Sequence, residues 1–331
     1  YLCAFLFVAV GEIDQKLFER IFTKAKTKKD IRALNNLLRS VAHNYGKYTN
    51  SKKTFLEIIN ELTKNKDASW VNNLWFKSGP ILKDFTETDF ETILKSLLLL
   101  SRIEYHAEEI LEPIARDYPK LAIDFFHKRV EIKSKKRRSI ENDYDGVPFN
   151  FHKLGKVLIQ HERIIIPRLL KWYGDGGKKH NWLFSWEASR LFEEIFTAPS
   201  LILEESLVDL IQRNTKKSRD IVFSVISKYK GEDFLFGLVK ALVKQYAGRK
   251  EYKEVRDRLI GHLSSTGVVS GEDGFVRAFQ GKKEAAQQLK KDPDKRIQIF
   301  AKEFISYLDE RITFERKRTD EHIELMKRGI E

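Results

Sequence analysis

The sequence contains few cysteines, glycines and prolines, and their scarcity excludes several classes of protein. Its one cysteine, Cys3, cannot form an internal disulfide or a thiolate cage for a metal ion, so we expect a reducing compartment, the cytoplasm. The 17 glycines and 7 prolines are too few for the closely spaced turns that an all-β sandwich or a doubly wound sheet would need over 331 residues. The composition therefore favours helices.

The sequence also lacks an apolar run long enough to span a bilayer. The run Leu2–Val10 is too short for that purpose, and no cationic segment precedes it as in a secretory signal. We therefore expect no membrane contact. Because the chain opens inside this run and without a methionine, we also expect it to be part of a longer polypeptide, whose other domains precede Tyr1.

Apolar residues at helical spacing run through the whole sequence. Phe18, Ile21, Phe22 and Ala25 form one such stripe, and Asp30 stands before the next stripe, where a helix N-cap belongs. No stretch alternates cleanly enough to predict a strand. The stripes are joined by short connections, which favour antiparallel helix pairs. The sequence therefore predicts an all-α fold, an α-solenoid of irregular antiparallel helix pairs of the HEAT type.

Individual helix bounds follow from the same spacing. We expect one helix over Trp182–Phe196, with Gly174–Asn181 as a glycine turn before it, and two short helices over Gly271–Phe279 and Lys283–Lys290. A long helix over Lys295–Arg328 begins with apolar residues and becomes highly charged. A terminal repeat needs a polar outer face to stay soluble, so we expect this helix to cap the array at its C-terminus.

A long polar segment divides the chain. We expect N-terminal helical repeats over residues 1–133, a polar basic linker loop over 134–150, and C-terminal helical repeats with the capping helix over 151–331. The basic run in the linker comprises Lys135, Lys136, Arg137 and Arg138. These four residues are candidate contacts for an acidic protein surface or for nucleic acid, and an ordinary exposed loop is the alternative.

A second candidate is the densest group of aromatic and basic residues. It comprises Lys178, Lys179 and His180 with the aromatic residues around them, Trp172, Tyr173, Trp182, Phe184 and Trp186. Its candidate contact residues are Lys178, Lys179, His180 and Trp182. Tryptophan is enriched in binding hot spots, and aromatic rings can stack on bases, so this group is a candidate recognition surface. The alternative is that Trp182 and Trp186, four residues apart, both face the core. Their spacing favours that alternative for the tryptophan pair.

No motif predicts catalysis, a metal or a cofactor. The HExxH pattern and the Gly-x-Ser-x-Gly elbow are both missing. Gly174–Lys179 lacks the leading glycine of a phosphate-binding loop and the Ser or Thr after its lysine. Glu141–Gly146 resembles the start of a calcium-binding loop, but the twelfth position is His152 rather than the required glutamate. We therefore expect a non-enzymatic protein without a cofactor.

The C-terminal part carries a resemblance to a known family. The segment Ser265–Gly274, the turn Asp292–Asp294, the residues Phe300, Ala301 and Leu308, and the charged stretch Glu315–Arg318 together resemble the end of the helical-repeat region in bacterial antiphage STAND-type NTPases. The resemblance covers about the last 70 residues, a length within the range of one or two repeats. In that family a HEAT-like or tetratricopeptide-like sensor follows an effector and an NTPase.

The resemblance implies a target-sensing module without catalysis of its own. The chain has no Walker A motif, so any NTPase would lie upstream of Tyr1. We therefore hypothesise a module that binds a protein partner, such as a phage protein. The formal charge of +13 supports an alternative, a HEAT-like repeat that binds nucleic acid through a basic face.

Overall fold

The computed structural model describes residues 15–46, 50–74, 81–136, 143–175, 177–229 and 235–328. Within these ranges the chain is helical, with turns between the helices and no strand, so the predicted all-α class is confirmed. Cys3 lies outside the described residues. No helix in these ranges has the length and apolar composition needed to cross a bilayer.

The chain divides into two compact units, residues 1–196 and residues 197–331. The helices of the first unit are α1 (Gln15–Lys28), α2 (Ile31–His43), α3 (Ser51–Lys64), α4 (Trp70–Leu74), α5 (Glu87–Leu97), α6 (Tyr105–Asp117), α7 (Pro119–Lys136), α8 (Leu154–Leu158), α9 (Glu162–Trp172) and α10 (Gly177–Ile195). A 3-10 turn, Ile159–His161, joins α8 to α9. The helices of the second unit are α11 (Leu201–Gln212), α12 (Lys216–Ile226), α13 (Leu235–Tyr246), α14 (Tyr252–Leu263), α15 (Gly274–Leu289) and α16 (Lys295–Lys327).

Packing inside each unit is mainly between helices that are close in sequence. In the first unit α1 packs on α2, α2 on α3 and α3 on α5, while α7 lies centrally against α5, α6, α9 and α10. In the second unit α11 packs on α12 and α13, α13 on α14, and α15 on α16. Contacts between sequence neighbours are the arrangement of solenoid-like helical repeats.

Helix starts follow local capping chemistry. The predicted cap Asp30 is confirmed, because its side chain accepts a hydrogen bond from the Ala33 amide. At the start of α5, Thr86 and Asp89 form a reciprocal capping box. These side chains satisfy backbone N–H groups that have no partner inside the helix.

The segment 134–150 does not lie at the boundary between the two units. Its first residues, 134–136, continue α7, and residues 144 and 146–148 are buried. Residues 144 and 146–148 pack as core structure because the buried side chains of Arg129 and Tyr144 hold this part of the segment in place. The division between units falls instead between Phe196 and Thr197.

The second unit has the turn and cap expected of a HEAT-like repeat. Asp294 caps α16 by accepting a hydrogen bond from the Arg296 amide, and the Arg296 guanidinium donates to the Lys244 carbonyl at the end of α13. Ile297 is fully buried. The arginine and the apolar residue after the Asp-Pro-Asp turn are therefore both directed towards the packed helices of this unit.

Candidate functional site: an aromatic–cationic surface on α7 and α10

The site is built on Arg129, a fully buried arginine in α7. Its guanidinium donates hydrogen bonds to four carbonyl oxygens, those of Leu97, Leu100, Ser101 and Asp145. Three of these carbonyls stand at or just after the C-terminus of α5, where carbonyls lack partners inside the helix and a positive charge is favourable. Burial lowers the pKa of Arg129 to about 10. Arg129 thus ties the end of α5 to the loop after α7.

Tyr144 closes this loop over Arg129. The centre of its ring lies 4.4 Å from the Arg129 guanidinium carbon, and its hydroxyl donates to the Leu98 carbonyl at 2.9 Å. Burial raises the pKa of Tyr144. A cation against a tyrosine face is more stabilising when water is excluded, as it is here.

Two further side chains hold the loop where it leads into α8. The buried carboxylate of Glu108 accepts hydrogen bonds from the backbone amides of His152 and Lys153. Arg190 of α10 donates to the Pro148 carbonyl at 2.8 Å. Residues 143–153 are thereby fixed against α5, α6, α7 and α10, which gives this loop the rigidity of a packed element.

Glu187 is the electrostatic centre of the site. Its side chain is fully buried, and its carboxylate lies 3.0 Å from the Lys133 ammonium and 3.3 Å from the Arg190 guanidinium. Burial raises the pKa of Glu187, and the charges of Lys133 and Arg190 act in the opposite direction. A Cβ at position 146 would stand 3.0 Å from its Oε1 atom, so Gly146 lets the loop approach this carboxylate closely.

Three large aromatic side chains are exposed beside this ion cluster. Trp182 and Trp186 of α10 are each 48% exposed, and Phe149 of the loop is 78% exposed. The Arg190 guanidinium carbon lies 4.8 Å from the centre of the Trp186 ring and 5.4 Å from that of Phe149. The Lys133 ammonium lies 5.6 Å from the Trp186 ring. We call these five residues the aromatic–cationic surface.

The first residue of the predicted basic run, Lys135, lies on the same helix as Lys133 of this surface. Lys135 is exposed in the last turn of α7, two residues beyond Lys133. The backbone of Lys136 ends the same helix, whereas Arg137 and Arg138 lie outside the described residues. Because Lys133 contacts both Glu187 and Trp186, the structure brings the end of α7 and the tryptophan pair of α10 together.

The second predicted group lies in a helix rather than in a turn. Gly177 begins α10, so the backbone of Lys178, Lys179 and His180 forms its first turn, and the structure describes no more of these three residues. Trp182 follows one turn later. The two candidate groups therefore belong to helices that pack against each other.

The expectation that Trp182 and Trp186 face the core was wrong. The buried side of α10 carries Leu183, Phe184 and Leu191, which face α7, α8 and α9. Those neighbours cover only that side of the helix, so the tryptophans on the other side remain half exposed. The nearby tryptophan that does enter the core is Trp172, at the end of α9.

Sequence reasoning did not find Phe149, Glu187 or Arg190. Each lies in a segment whose local pattern is ordinary, and the three meet only when the loop folds back onto α10. The one local signal was Lys133, which stands just before the predicted basic run. The meeting of Phe149, Glu187 and Arg190 depends on tertiary contacts, which the local sequence does not reveal.

The loop that resembles a calcium site faces an arginine. Asp143 pairs with the Arg102 guanidinium, and Asp145 lies 4.0 Å from the same side chain. An arginine already supplies the positive charge next to these carboxylates. In the ranges that the structure describes, no three His, Cys, Asp or Glu side chains are grouped so that they could hold a metal ion.

The second unit contains a groove whose charged lining residues are mainly acidic, in contrast to the cations of the aromatic–cationic surface. It lies between α14 and α16, has a volume of about 540 Å³, and is lined in part by Asp257, Glu303, Tyr307 and Glu310. The single guanidinium in its lining, that of Arg256, is engaged by Asp257 at 2.9 Å and Glu303 at 3.5 Å. An acidic ligand would therefore be repelled from this groove.

The comparison with known proteins does not assign the chain to a family. No protein-family model matches the chain, and a search of curated proteins finds no significant match.

Proposed function

We propose that this chain is a non-enzymatic recognition module that binds a protein partner through the aromatic–cationic surface. The observation that carries the proposal is the exposure of Trp182 and Trp186 beside Arg190. Tryptophan and arginine are the residues most enriched in binding hot spots, and exposed apolar rings gain free energy when a partner covers them.

The buried side chains that hold the aromatic–cationic surface in place also favour a binding function. Lys133 and Arg190 are held by the buried Glu187, and the loop bearing Phe149 is held by Arg129 and Tyr144. Fixed side chains lose little conformational entropy on binding, so a rigid surface contributes more of its contact energy to affinity.

We further propose that the partner is a phage protein and that the module is the sensor of a larger antiphage polypeptide in the bacterial cytoplasm. The resemblance of the C-terminal segment to STAND-type sensor regions supports this context. The HEAT-like contact of Arg296 with the preceding repeat is the structural feature that agrees with it.

The experiment is a pull-down of purified phage proteins by the immobilised full chain and its variants. We expect a retained partner to be lost from a Trp182→Ala, Trp186→Ala double variant, because the variant removes both exposed rings. The matched control is Phe314→Ala, which removes a 56% exposed ring from α16 in the other unit. Circular dichroism and thermal unfolding are measured on both variants to check that they are folded.

Two results would contradict the proposal. One is a folded wild-type chain that retains no protein from phages to which the parent polypeptide responds. The other is a partner that is retained equally by the double tryptophan variant and by the Phe314→Ala control.

Nucleic-acid binding is the second candidate function. It is favoured by the exposed Lys135, which belongs to a run of lysines and arginines in the sequence, and by the overall charge of +13. Affinity for DNA or RNA should then fall steeply as salt increases, with a slope set by the number of phosphate contacts. A flat salt response, or unchanged binding in a Lys135→Gln, Lys136→Gln variant, would exclude this function.

A further inference from the structure

We infer that the second unit binds the phosphate backbone of a nucleic-acid duplex through an edge formed by three of its turns. These turns join α11 to α12, α13 to α14, and α15 to α16, and with the adjoining helix ends they comprise residues 213–217, 244–253 and 290–296. We call these three segments the basic edge. The aromatic–cationic surface belongs to the first unit, so the inference goes beyond the proposed function and does not depend on it.

Contacts within the second unit place the first two turns side by side. α11 packs on α13, and a Cβ at Gly237, near the start of α13, would collide with the carboxylate of Glu204, near the start of α11. Because the two helices start next to each other and pack together, the turns that follow them lie on the same side of the unit. The Arg219 guanidinium carbon of α12 lies 5.5 Å from the ring centre of Tyr246, the last residue of α13.

Polar contacts hold the third turn next to the second. The Arg296 guanidinium donates a hydrogen bond to the Lys244 carbonyl at 3.0 Å, and Lys240 of α13 forms an ion pair with Asp292 at 2.9 Å. These contacts join the end of α13 to the turn before α16. Packed helices lie about 8–10 Å apart, so the three turns span about 20 Å. A duplex covers that distance with about six base pairs.

Positive charge is concentrated on the basic edge. Its 22 residues include 11 lysines and arginines and three acidic residues, a net charge of +8 in a chain whose formal charge is +13. All 11 basic residues are exposed. By contrast, residues 264–273, which connect α14 to α15, contain two acidic residues and no lysine or arginine.

Most of these cations are available to a ligand. Asp292 and Asp294, two of the three acidic residues, are already engaged by Lys240 and Arg296. Among the residues that the structure describes, no carboxylate forms an ion pair with any of the ten basic side chains of the edge other than Arg296. Successive phosphates can therefore contact these ten side chains without breaking an ion pair of the fold.

The composition of the basic edge favours a duplex over other anionic partners. The structure describes all of its residues, and none of them is a large apolar side chain exposed to solvent. Proteins that bind single strands stack the bases on exposed aromatic rings, and membrane-binding helices insert apolar side chains into the lipid. Exposed cations without such side chains suit the phosphates of a duplex, which position a protein without revealing the base sequence.

The experiment is a titration of fluorescent duplexes with the full chain, followed by anisotropy at several salt concentrations. The probes are a DNA duplex and an RNA duplex of the same mixed sequence, each about 20 base pairs long, which exceeds the expected contact length. We expect the logarithm of the affinity to fall linearly with the logarithm of the salt concentration, because cations that contact phosphates release counterions.

The test variant is Lys250→Gln, Lys291→Gln, which removes one exposed lysine from each of two turns of the basic edge. It should bind a duplex at least about tenfold more weakly at about 0.1 M salt, with a salt slope shallower by about 2. The matched control, Lys317→Gln, Lys327→Gln, removes two exposed lysines of α16 outside the edge. It should weaken binding less than about threefold, because salt screens charges far from the duplex.

Four results would overturn the inference. They are no binding of either duplex at low salt, equal loss of affinity in the test and control variants, tighter binding of a single strand than of a duplex, and binding of phosphatidylserine vesicles without binding of a duplex. Circular dichroism checks that each variant is folded. The Trp182→Ala, Trp186→Ala variant should bind a duplex as tightly as wild type, so loss of a phage protein from that variant leaves the inference intact.

Discussion

The Lys133 ammonium lies 3.0 Å from the carboxylate of Glu187, whose side chain is fully buried. Removing one partner of a buried ion cluster leaves charge without compensation and costs about 3 kcal/mol or more. The side chains of Lys133 and Arg190 are partly exposed to solvent, which limits this cost. We therefore expect Glu187→Ala to lower the free energy of unfolding by about 3 kcal/mol, measured by urea denaturation.

The matched control for this substitution is Glu193→Ala, on the exposed side of the same helix. It should lower the free energy of unfolding much less than Glu187→Ala does, because its side chain is exposed to solvent. Equal effects of the two substitutions would show that the ion cluster does not stabilise the fold.

Arg129 provides the second prediction. Arg129→Lys should destabilise the chain by about 2–3 kcal/mol, because one ammonium cannot serve the four carbonyls and a buried acceptor without a partner is costly. Arg102→Lys, which changes an exposed arginine that pairs with Asp143 of the same loop, should have a much smaller effect, because solvent screens an exposed ion pair. If Arg102→Lys proved as destabilising as Arg129→Lys in urea, the carbonyl contacts would not account for the loop's stability.

The sequence was sufficient for the fold class and for much of the helix pattern. The capping residue Asp30 follows from local chemistry, and the structure agrees with it. Ser51, a residue type that favours the N-cap, does not cap α3, because Asn50 holds the N-cap position in a left-handed conformation and the Ser51 hydroxyl accepts a hydrogen bond from the Gly46 amide. The N-cap therefore stands one residue before Ser51, at Asn50, whose backbone conformation is left-handed.

The site was only partly predictable. The basic run and Trp182 carry a local signal of charge and aromatic content. The exposure of Trp186 and the recruitment of Phe149 and Arg190 depend on which side of α10 its neighbours cover, and helical spacing alone leaves that choice open. Sequence spacing defines a stripe on a helix, while tertiary packing decides whether the stripe is buried.

The exposure of the tryptophan pair gives a third prediction. Acrylamide quenching of tryptophan fluorescence should weaken in a Trp182→Phe, Trp186→Phe variant, because the two half-exposed indoles are gone. Trp172→Phe should instead raise the quenchable fraction, since it removes an indole that is only 3% exposed. Quenching that falls equally in both variants would contradict the exposed orientation of α10.

Asp294 gives a prediction for the acid side of the stability curve. The hydrogen bond from the Arg296 side chain lowers the pKa of Asp294 to about 2, below the value of about 3.9 for an unfolded aspartate. A lowered folded-state pKa stabilises the fold above the unfolded pKa, and this contribution is lost as pH falls from about 4 to about 2. Asp294→Asn keeps the capping oxygen and should flatten the unfolding free energy in that window.

The Arg296→Gln variant tests the cause of this shift. It removes the guanidinium donor while leaving the Asp294 carboxylate, and it should reproduce much of the flattening. Urea titrations at several pH values measure both variants. If both kept the full wild-type slope between about pH 4 and about pH 2, the capping carboxylate would not be the linked group.

Around Gly281 the structure has a helix where the sequence predicts a break, and this difference leads to the last prediction. The sequence predicts two short helices around this glycine and its following lysines, but the structure has one helix, α15, because Phe279 and Leu289 are both buried as α15 packs along α16. A Cβ at Gly281 would meet no atom within 4 Å. Gly281→Ala should therefore stabilise the chain by up to about 1 kcal/mol, the difference in helix propensity between glycine and alanine.

The matched control is Gly271→Ala, just before the same helix. Gly271 has a φ of +83°, a left-handed conformation that costs a residue with a Cβ about 1–2 kcal/mol. Thermal and urea unfolding should therefore move in opposite directions for the two substitutions, although each adds one methyl group to an exposed glycine. Destabilisation by Gly281→Ala would mean that position 281 is a break between two helices, as the sequence alone predicts, because alanine gains its advantage only where the backbone is helical.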